Sequence, residues 1–359
     1  MAVTNDMVTD RRVQRHAATL KESGYDVVVL GRKQIVTRHA HGWRFYYEYN
    51  IALRRAVAGQ KPDIVWANDT DTLLGCWLAA RRCRAKLVMD AHELFPEVPE
   101  IQHKPLVKWV WRTLERKLMP KCDALLTVCD SIAGYYKERY GVEMAVVRNI
   151  RGQWPVASGQ CAMQDCTSQL NTEHLPLNTK TLLYQGHVNL GRGVDWAIDA
   201  LEWLEDCLLV VAGDGDLLEQ MKTYAASKPW ADRVTFLGRQ TPDALQALTA
   251  KADVGLVMLE DMGLSYHYAL PNRIGDFVQA GVPMVVSDLP EMATVVMRYR
   301  IGEVMRAPGA RALADSIKKV LACGKEHYDF SLAQRDMDWN KEKHILIKTA
   351  NKLCSTTSF

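Results

Sequence analysis

Short apolar runs alternate with amphipathic stretches along almost the whole chain. In the first half the runs are Asp26–Leu30 (DVVVL), Asp63–Ala67, Lys86–Asp90, Ala124–Cys129 and Ala145–Arg148, preceded by a brief Met1–Thr4 segment. In the second half they are Thr181–Gly186 (TLLYQG), Cys207–Gly213, Arg233–Leu237, Asp253–Met258 and Met284–Val286. Such runs, bounded by turn residues, read as strands buried on both faces, and the stretches between them read as helices. The alternation predicts an α/β fold whose mostly parallel sheets carry helices on both sides. From 151 to 180 the apolar rhythm stops and Gln, Ser, Asn, Thr, Gly and Pro accumulate, the mark of a boundary or a surface excursion. At 359 residues the chain also exceeds one ordinary core. Two domains are therefore expected, 1–155 and 181–335, joined through 156–180, with a C-terminal helix (336–359) packing back on the first.

Helix ends can be placed from their caps. Asp10 opens a helix that Gly24 stops, Ser131 is a good N-cap, and Gly191-Arg192-Gly193 leads into a helix reaching Leu204. A last helical segment runs from about Tyr328 to Leu353. Lys104–Lys121 (KPLVKWVWRTLERKLMPK) sets Val107, Val110, Trp111, Leu114 and Leu118 along one face, with Lys108, Arg112, Glu115, Arg116 and Lys117 over the rest. A basic amphipathic helix with a flanking Trp suits an anionic membrane surface, and Lys104, Lys108, Trp109, Arg112 and Arg116 are the candidates for that contact. A helix that merely covers a sheet has the same pattern.

Composition narrows the classes. Hydrophobic residues make up 48% and charged residues 24%, as in a globular protein. A net charge of +3 gives no sign of a nucleic-acid partner. The nine cysteines are scattered without a CxxC or zinc spacing, which fits a reduced, cytoplasmic protein. No run is long enough to span a bilayer and no signal-peptide core opens the chain, so contact with the inner face of the membrane would be peripheral.

The chemistry gathers in two places. Asp90-Ala91-His92-Glu93 follows a buried strand, where open α/β sheets put their ligand loops. His92 there is either a proton-exchanging or hydroxyl-orienting group or a structural strand cap. Tyr266–Glu291 (YHYALPNRIGDFVQAGVPMVVSDLPE) is the second place. Pro271 opens a helix, Ile274, Phe277 and Val278 form its apolar stripe, Gly281 ends it, and Met284–Val286 follows as a strand. The open helix N-terminus at Asn272, with Arg273 beside it, suits a phosphate.

This stretch, together with VVAGDGDLLEQ, RVTFLGRQTPDAL and KADVGLVML between Thr181 and Glu291, resembles the retaining glycosyltransferases of family 4, in the branch found in bacterial surface-polysaccharide pathways. Asn5-Asp6 and Asp10-Arg11-Arg12-Val13 match a phrase from the family's first domain. The resemblance implies a GT-B fold, two Rossmann-like doubly wound domains facing across a cleft. It implies transfer of a sugar from a nucleoside diphosphate sugar to a hydroxyl acceptor, a lipid-linked glycan among the candidates, with retained configuration. The donor is a substrate; no cofactor is expected. Donor-binding positions carried over are Gly186, His187, Arg192, Gly238, Arg239, Pro271, Asn272, Arg273 and Asp276. Acceptor-side positions are Asp10, Arg12, His92 and Glu93, and the catalytic set is His92, Arg192 and Arg273.

The chain departs from the family in three ways. Asp276 stands where a ribose-binding Glu is usual, Tyr268 stands where the other Glu of the pair is usual, and His187 replaces an expected cation. No acidic metal motif is evident, since Asp69-Thr70-Asp71 opens a helix in the other half; the leaving charge would fall to Arg192, Arg273 and the helix N-terminus. A nucleotide-sugar epimerase of the same fold, and a degenerate transferase serving as a partner subunit, are the alternative readings.

Overall fold

The computed structural model describes residues 1–5, 7, 10–150 and 178–355. The surface excursion expected at 156–180 falls almost wholly outside them, as do Asp6, Cys161 and Cys166. The chain divides into two compact units. One takes Met1–Asn149, Gly263–Tyr268 and the stretch from Asn340; the other takes Ile150–Met262 and Ala269–Trp339. Gly263–Tyr268 thus groups with the first unit, although its sequence neighbours on both sides belong to the second.

The first unit is a parallel sheet of β1 (Ile64–Asn68), β2 (Lys86–Ala91), β3 (Ala124–Thr127) and β4 (Ala145–Val146), in that order. Asn68 pairs with Asp90 and Ala91 with Thr127, which brings the residues after β1 and β2 to one carboxyl edge. Ahead of β1, Ala2 bridges Ala67 on one side and Leu30 on the other. The expected strand Asp26–Leu30 is corrected here: it holds only that one bridge, and Val28 is 43% exposed. It is the outer edge of the sheet, and Met1–Val3 is too short to build a ladder against it. The order of these segments reverses between Met1–Val3 and β1, so a topological switch point falls there, as in doubly wound folds.

The second unit has β5 (Lys180–Gln185), β6 (Cys207–Ala212), β7 (Val234–Gly238), β8 (Val254–Val257), β9 (Met284–Val286) and β10 (Gly302–Val304). All are parallel, in the order β10-β9-β8-β5-β6-β7. Chain order reverses between β5 and β8. The core packs Leu182, Tyr184, Leu209, Val211 and Leu256 against Ile198, Ile317 and Val320 from helices Val194–Ala200 and Ala310–Cys323.

Several helix ends differ from expectation. Helix Asp130–Tyr140 begins one residue before Ser131, with Cys129 at its N-cap and no side-chain bond there. The helix after Gly193 stops at Ala200 and tightens into a 3₁₀ turn, Leu201–Trp203. The C-terminal segment is two helices, Ser331–Asp336 and Trp339–Ser355. Among the described residues no helix is long and apolar enough to cross a membrane.

One packing contact reports on the second core. A Cβ on Gly255 of β8 would sit 2.7 Å from three ring atoms of Phe277, which is fully buried on helix Asn272–Ala280. Gly255→Ala should therefore destabilise the protein by about 1–3 kcal/mol, seen as a lower denaturation midpoint at unchanged slope. An unchanged midpoint would show that this interface has room to give.

Candidate active site

The carboxyl edge of the first sheet is built around Asp90, which is fully buried at the end of β2. Arg12 meets it with two bonds, Nη2 to Oδ1 at 2.6 Å and Nε to Oδ2 at 3.0 Å, and donates Nη1 to the Val147 carbonyl. Burial would raise the Asp90 pKa, but Arg12 and the neighbouring imidazoles outweigh it and hold the carboxylate ionised, well below its usual range. His16, also fully buried, lies 3.3 Å from the same carboxylate. Burial, with Arg12 adding to it, lowers His16 to about 4, so it stays neutral.

His92 continues this chain of charges. Its Nδ1 is 3.3 Å from Asp69 and its Nε2 is 3.5 Å from Asp90. Burial opposes a charge on the ring, yet the two carboxylates prevail and carry His92 to about 9. The carboxylates thus favour the charged ring, while burial raises Asp69 itself to about 8. Asp69 is the residue that sequence reasoning passed over. It follows β1 with φ 63° and ψ 166°, a conformation that is strained for any residue but glycine. Two contacts hold it: its N–H donates to the Asp90 carbonyl at 2.9 Å, and its carboxylate accepts the His92 N–H at 2.7 Å. The signal was present in the Asp69-Thr70-Asp71 triplet, which is wrong for a metal but stands at the switch point. Asp71 is buried, bonded by Thr4, and pushed to about 7 by burial. Glu93 is half-buried and adds its charge to both aspartates.

Of the acceptor-side candidates, Arg12 is thus consumed by Asp90 and Val147 and braces the edge. Asp10 caps helix Arg11–Glu22 through Val13 N–H and takes a bond from Asn5. His92 and Glu93 remain at the edge.

In the second unit Arg273 occupies the switch point. It is 7% exposed, and its guanidinium donates to the carbonyls of Gln185, ending β5, and Met258, just past β8. It lies 4.7 Å over the Tyr184 ring. Gly186 (φ 132°) passes so close that a Cβ there would be 3.2 Å from Arg273 Nη1, and a Cβ on Gly213 would strike the Gly186 carbonyl at 1.8 Å. These glycines let the loops after β5 and β6 lie backbone to backbone. Pro271 is the N-cap of helix Asn272–Ala280 and no side chain caps it, so exposed Asn272 begins an open N-terminus.

Asp276 is 6% exposed and accepts from Gln185 Nε2 at 3.0 Å, while Gln185 Oε1 accepts from Thr249. One methylene shorter than Glu, this acid is tied to the strand end. Asp214 gathers His187 (3.3 Å) and Arg239 (3.9 Å) in an exposed group near Gly238 (φ 63°). Arg192 is half-buried in the turn before Gly193. Tyr268 groups with the first unit, its carbonyl accepting from Cys129 Sγ. Helix Pro105–Leu118 buries Trp111, Glu115 and Leu118 rather than the whole predicted stripe; Val107 and Val110 are exposed.

Two family models match the chain: "Glycosyl transferase 4-like domain" over residues 9–151 and "Glycosyl transferases group 1" over residues 168–337. The chain belongs to the GT-B glycosyltransferases of the family 4 type. A phosphatidyl-myo-inositol mannosyltransferase of Mycobacterium leprae is 28% identical over 178 residues, a match spanning 45% of this chain and 43% of that protein. Among solved structures, sucrose-phosphate synthase from Thermosynechococcus elongatus superposes with a TM-score of 0.75 at 16% identity, covering 96% of this chain and 93% of that one. HepE of Anabaena, solved with UDP and glucose, gives 0.69 at 15% identity, covering 93% and 88%. These likenesses establish the fold.

The charge chain has a signature. Asp69→Asn keeps an oxygen for the His92 N–H and the same backbone demand, but removes the ionisable carboxyl. Proton NMR titration should show the His92 pKa falling by about one unit or more toward the ordinary imidazole value. An unchanged pKa would remove Asp69 from the account. In the wild type, a raised His92 pKa stabilises the fold fully below 6.5, and that contribution is lost as pH rises through about 9. Asp69→Asn should flatten this decline.

Proposed function

We propose that the protein transfers a sugar from a nucleoside diphosphate sugar to a hydroxyl acceptor, with retained configuration, in building a cell-surface polysaccharide or glycolipid. The observation that carries this reading is the placement of Arg273 at the switch point of the second sheet, beneath glycine loops and beside an open helix N-terminus. That is where doubly wound sheets hold nucleotides, and free N–H groups with a fixed cation suit a diphosphate. The solved complexes of HepE with UDP and with UDP-glucose support a nucleotide-sugar donor. The mannosyltransferase's name supports an acceptor carried on a lipid.

In this reading Arg192 and the Asn272 N-terminus meet the diphosphate, while Arg273 supplies field and rigidity. Gly238 and Arg239, with His187 near them through Asp214, face the nucleobase side. Asp276 meets the ribose from its tether to Gln185. The bond from the sugar's anomeric carbon to the phosphate oxygen breaks with its electron pair staying on the diphosphate. The acceptor oxygen bonds to the same face, and its proton passes to the departing phosphate. His92 and Glu93, at the edge of the first sheet, orient acceptor hydroxyls. No metal or cofactor is invoked. The exposed Leu106, Trp109 and Val110 on helix Pro105–Leu118 support a peripheral position on an anionic membrane.

Pure protein incubated with UDP-, GDP- and ADP-sugars and lipid-linked acceptors should release nucleoside diphosphate and form a product with the donor's anomeric configuration. Epimerised donor would favour an epimerase, and no turnover with any donor would favour a non-catalytic partner subunit. Arg192→Ala should lower turnover by about ten- to a thousandfold with little loss of stability. Arg273→Ala should lower both, since it strands two buried carbonyls. Full activity in both variants would remove the proposed donor site.

A further inference from the structure

A second constellation lies away from the strand ends. On helix Pro105–Leu118, Lys108, Arg112 and Arg116 recur at four-residue spacing and so share a face, with Trp109 beside them. That face and the end of helix Asp130–Tyr140, through Arg139 and Tyr140, line a pocket of about 440 Å³. Four cations thus border one cavity, and a single carboxylate, Glu97, pairs with two of them.

Beneath it, Glu97 fixes two of the cations and offsets part of their charge, and Glu115 fixes the tyrosines. Glu97 is 2% exposed and pairs with Lys108 at 2.6 Å and with Arg112. Arg112 spends Nε and Nη2 on Glu97, and among the described residues its Nη1 makes no hydrogen bond. Glu115 is fully buried and accepts from Thr70, Tyr136 and Tyr140, which fixes the Tyr140 ring. Arg139 lies 5.6 Å over Tyr135 and 5.9 Å over Tyr140, and neither it nor Arg116 has a carboxylate partner among the described residues. Alongside, Leu106, Trp109 and Val110 are 78%, 63% and 51% exposed. Cations that fork around a cavity beside exposed apolar side chains suit a ligand with a compact anionic head and an apolar body.

We propose that this pocket binds the phosphate monoester of a membrane lipid headgroup, with the Arg112, Arg116 and Arg139 guanidinium groups on its oxygens and Leu106, Trp109 and Val110 against the lipid. A monoester offers three terminal oxygens and close to two charges, whereas a diester offers two oxygens and one charge; planar guanidinium forks discriminate between them. The inference rests on the peripheral-membrane reading and adds a specificity to it.

The test is co-sedimentation of the whole protein with phosphatidylcholine vesicles carrying phosphatidic acid, against vesicles of matched surface charge carrying phosphatidylglycerol. The phosphatidic acid vesicles should bind about tenfold more tightly. Arg139→Ala should abolish the preference while leaving phosphatidylglycerol binding, and Arg139→Lys, which keeps the charge but loses the fork, should abolish most of it. Unchanged circular dichroism shows that the variants fold. Equal binding to both lipids overturns the pocket and leaves the membrane reading standing. Binding to neither overturns the membrane reading and, with it, a lipid source. Calorimetry with inorganic phosphate then decides the chemistry: saturable binding lost in Arg139→Ala assigns the pocket to free phosphate esters, and no heat overturns it altogether.

Discussion

A buried carboxylate organises the first unit. Asp90 sits in the sheet with no access to water, a position tenable only because Arg12 returns two charge-assisted bonds and two imidazoles face it. Everything at that edge follows. Arg12 locks helix Arg11–Glu22 to β2 and to Val147. His92 is drawn inward and charged, and its own counter-charge, Asp69, is held in a backbone conformation that only such over-determined surroundings maintain. Arg12, Asp90, His92 and Asp69 form one connected cluster, in which burial raises Asp69 to about 8. Removing Arg12 would leave Asp90, which is fully buried, without its two strongest bonds.

The second unit solves the same problem with the opposite sign. Arg273 is a buried cation that donates to two backbone carbonyls and lies over an aromatic face. These partners fix the guanidinium at the point where β5 and β8 diverge. The glycine contacts at Gly186 and Gly213 then let the loop backbones close over it. One unit thus ends in a buried Arg–Asp–His cluster and the other in a buried guanidinium under glycine loops.

The sheets were legible because buried parallel strands are written as short apolar runs, and nearly every run became a strand. Asp26–Leu30 failed because an apolar run cannot announce that it will lie at an edge beside a partner of three residues. The positions of His92 after a strand, and of Arg273 and Asp276 in the first turns of a helix, followed from chain pattern. Their partners did not: that Arg12 is taken by Asp90, that Asp276 is tied to Gln185, and that both nitrogens of His92 face carboxylates are facts of side-chain packing between distant segments. Asp69 was hidden for a related reason, since its backbone strain has no sequence mark in a non-glycine residue. The pocket by helix Pro105–Leu118 was half visible, as a basic stripe, but Arg139 and Tyr140 come from another helix.

The central claim is that the second unit holds a nucleoside diphosphate sugar at the edge marked by Arg273. Hydrogen–deuterium exchange of the protein with and without nucleotide sugar tests it most directly. Protection should appear in the loops around 186–193, 238–239 and 269–275 and be absent from the first sheet when UDP alone is used. Protection confined to other segments, or none with any saturating nucleotide sugar, would contradict the account.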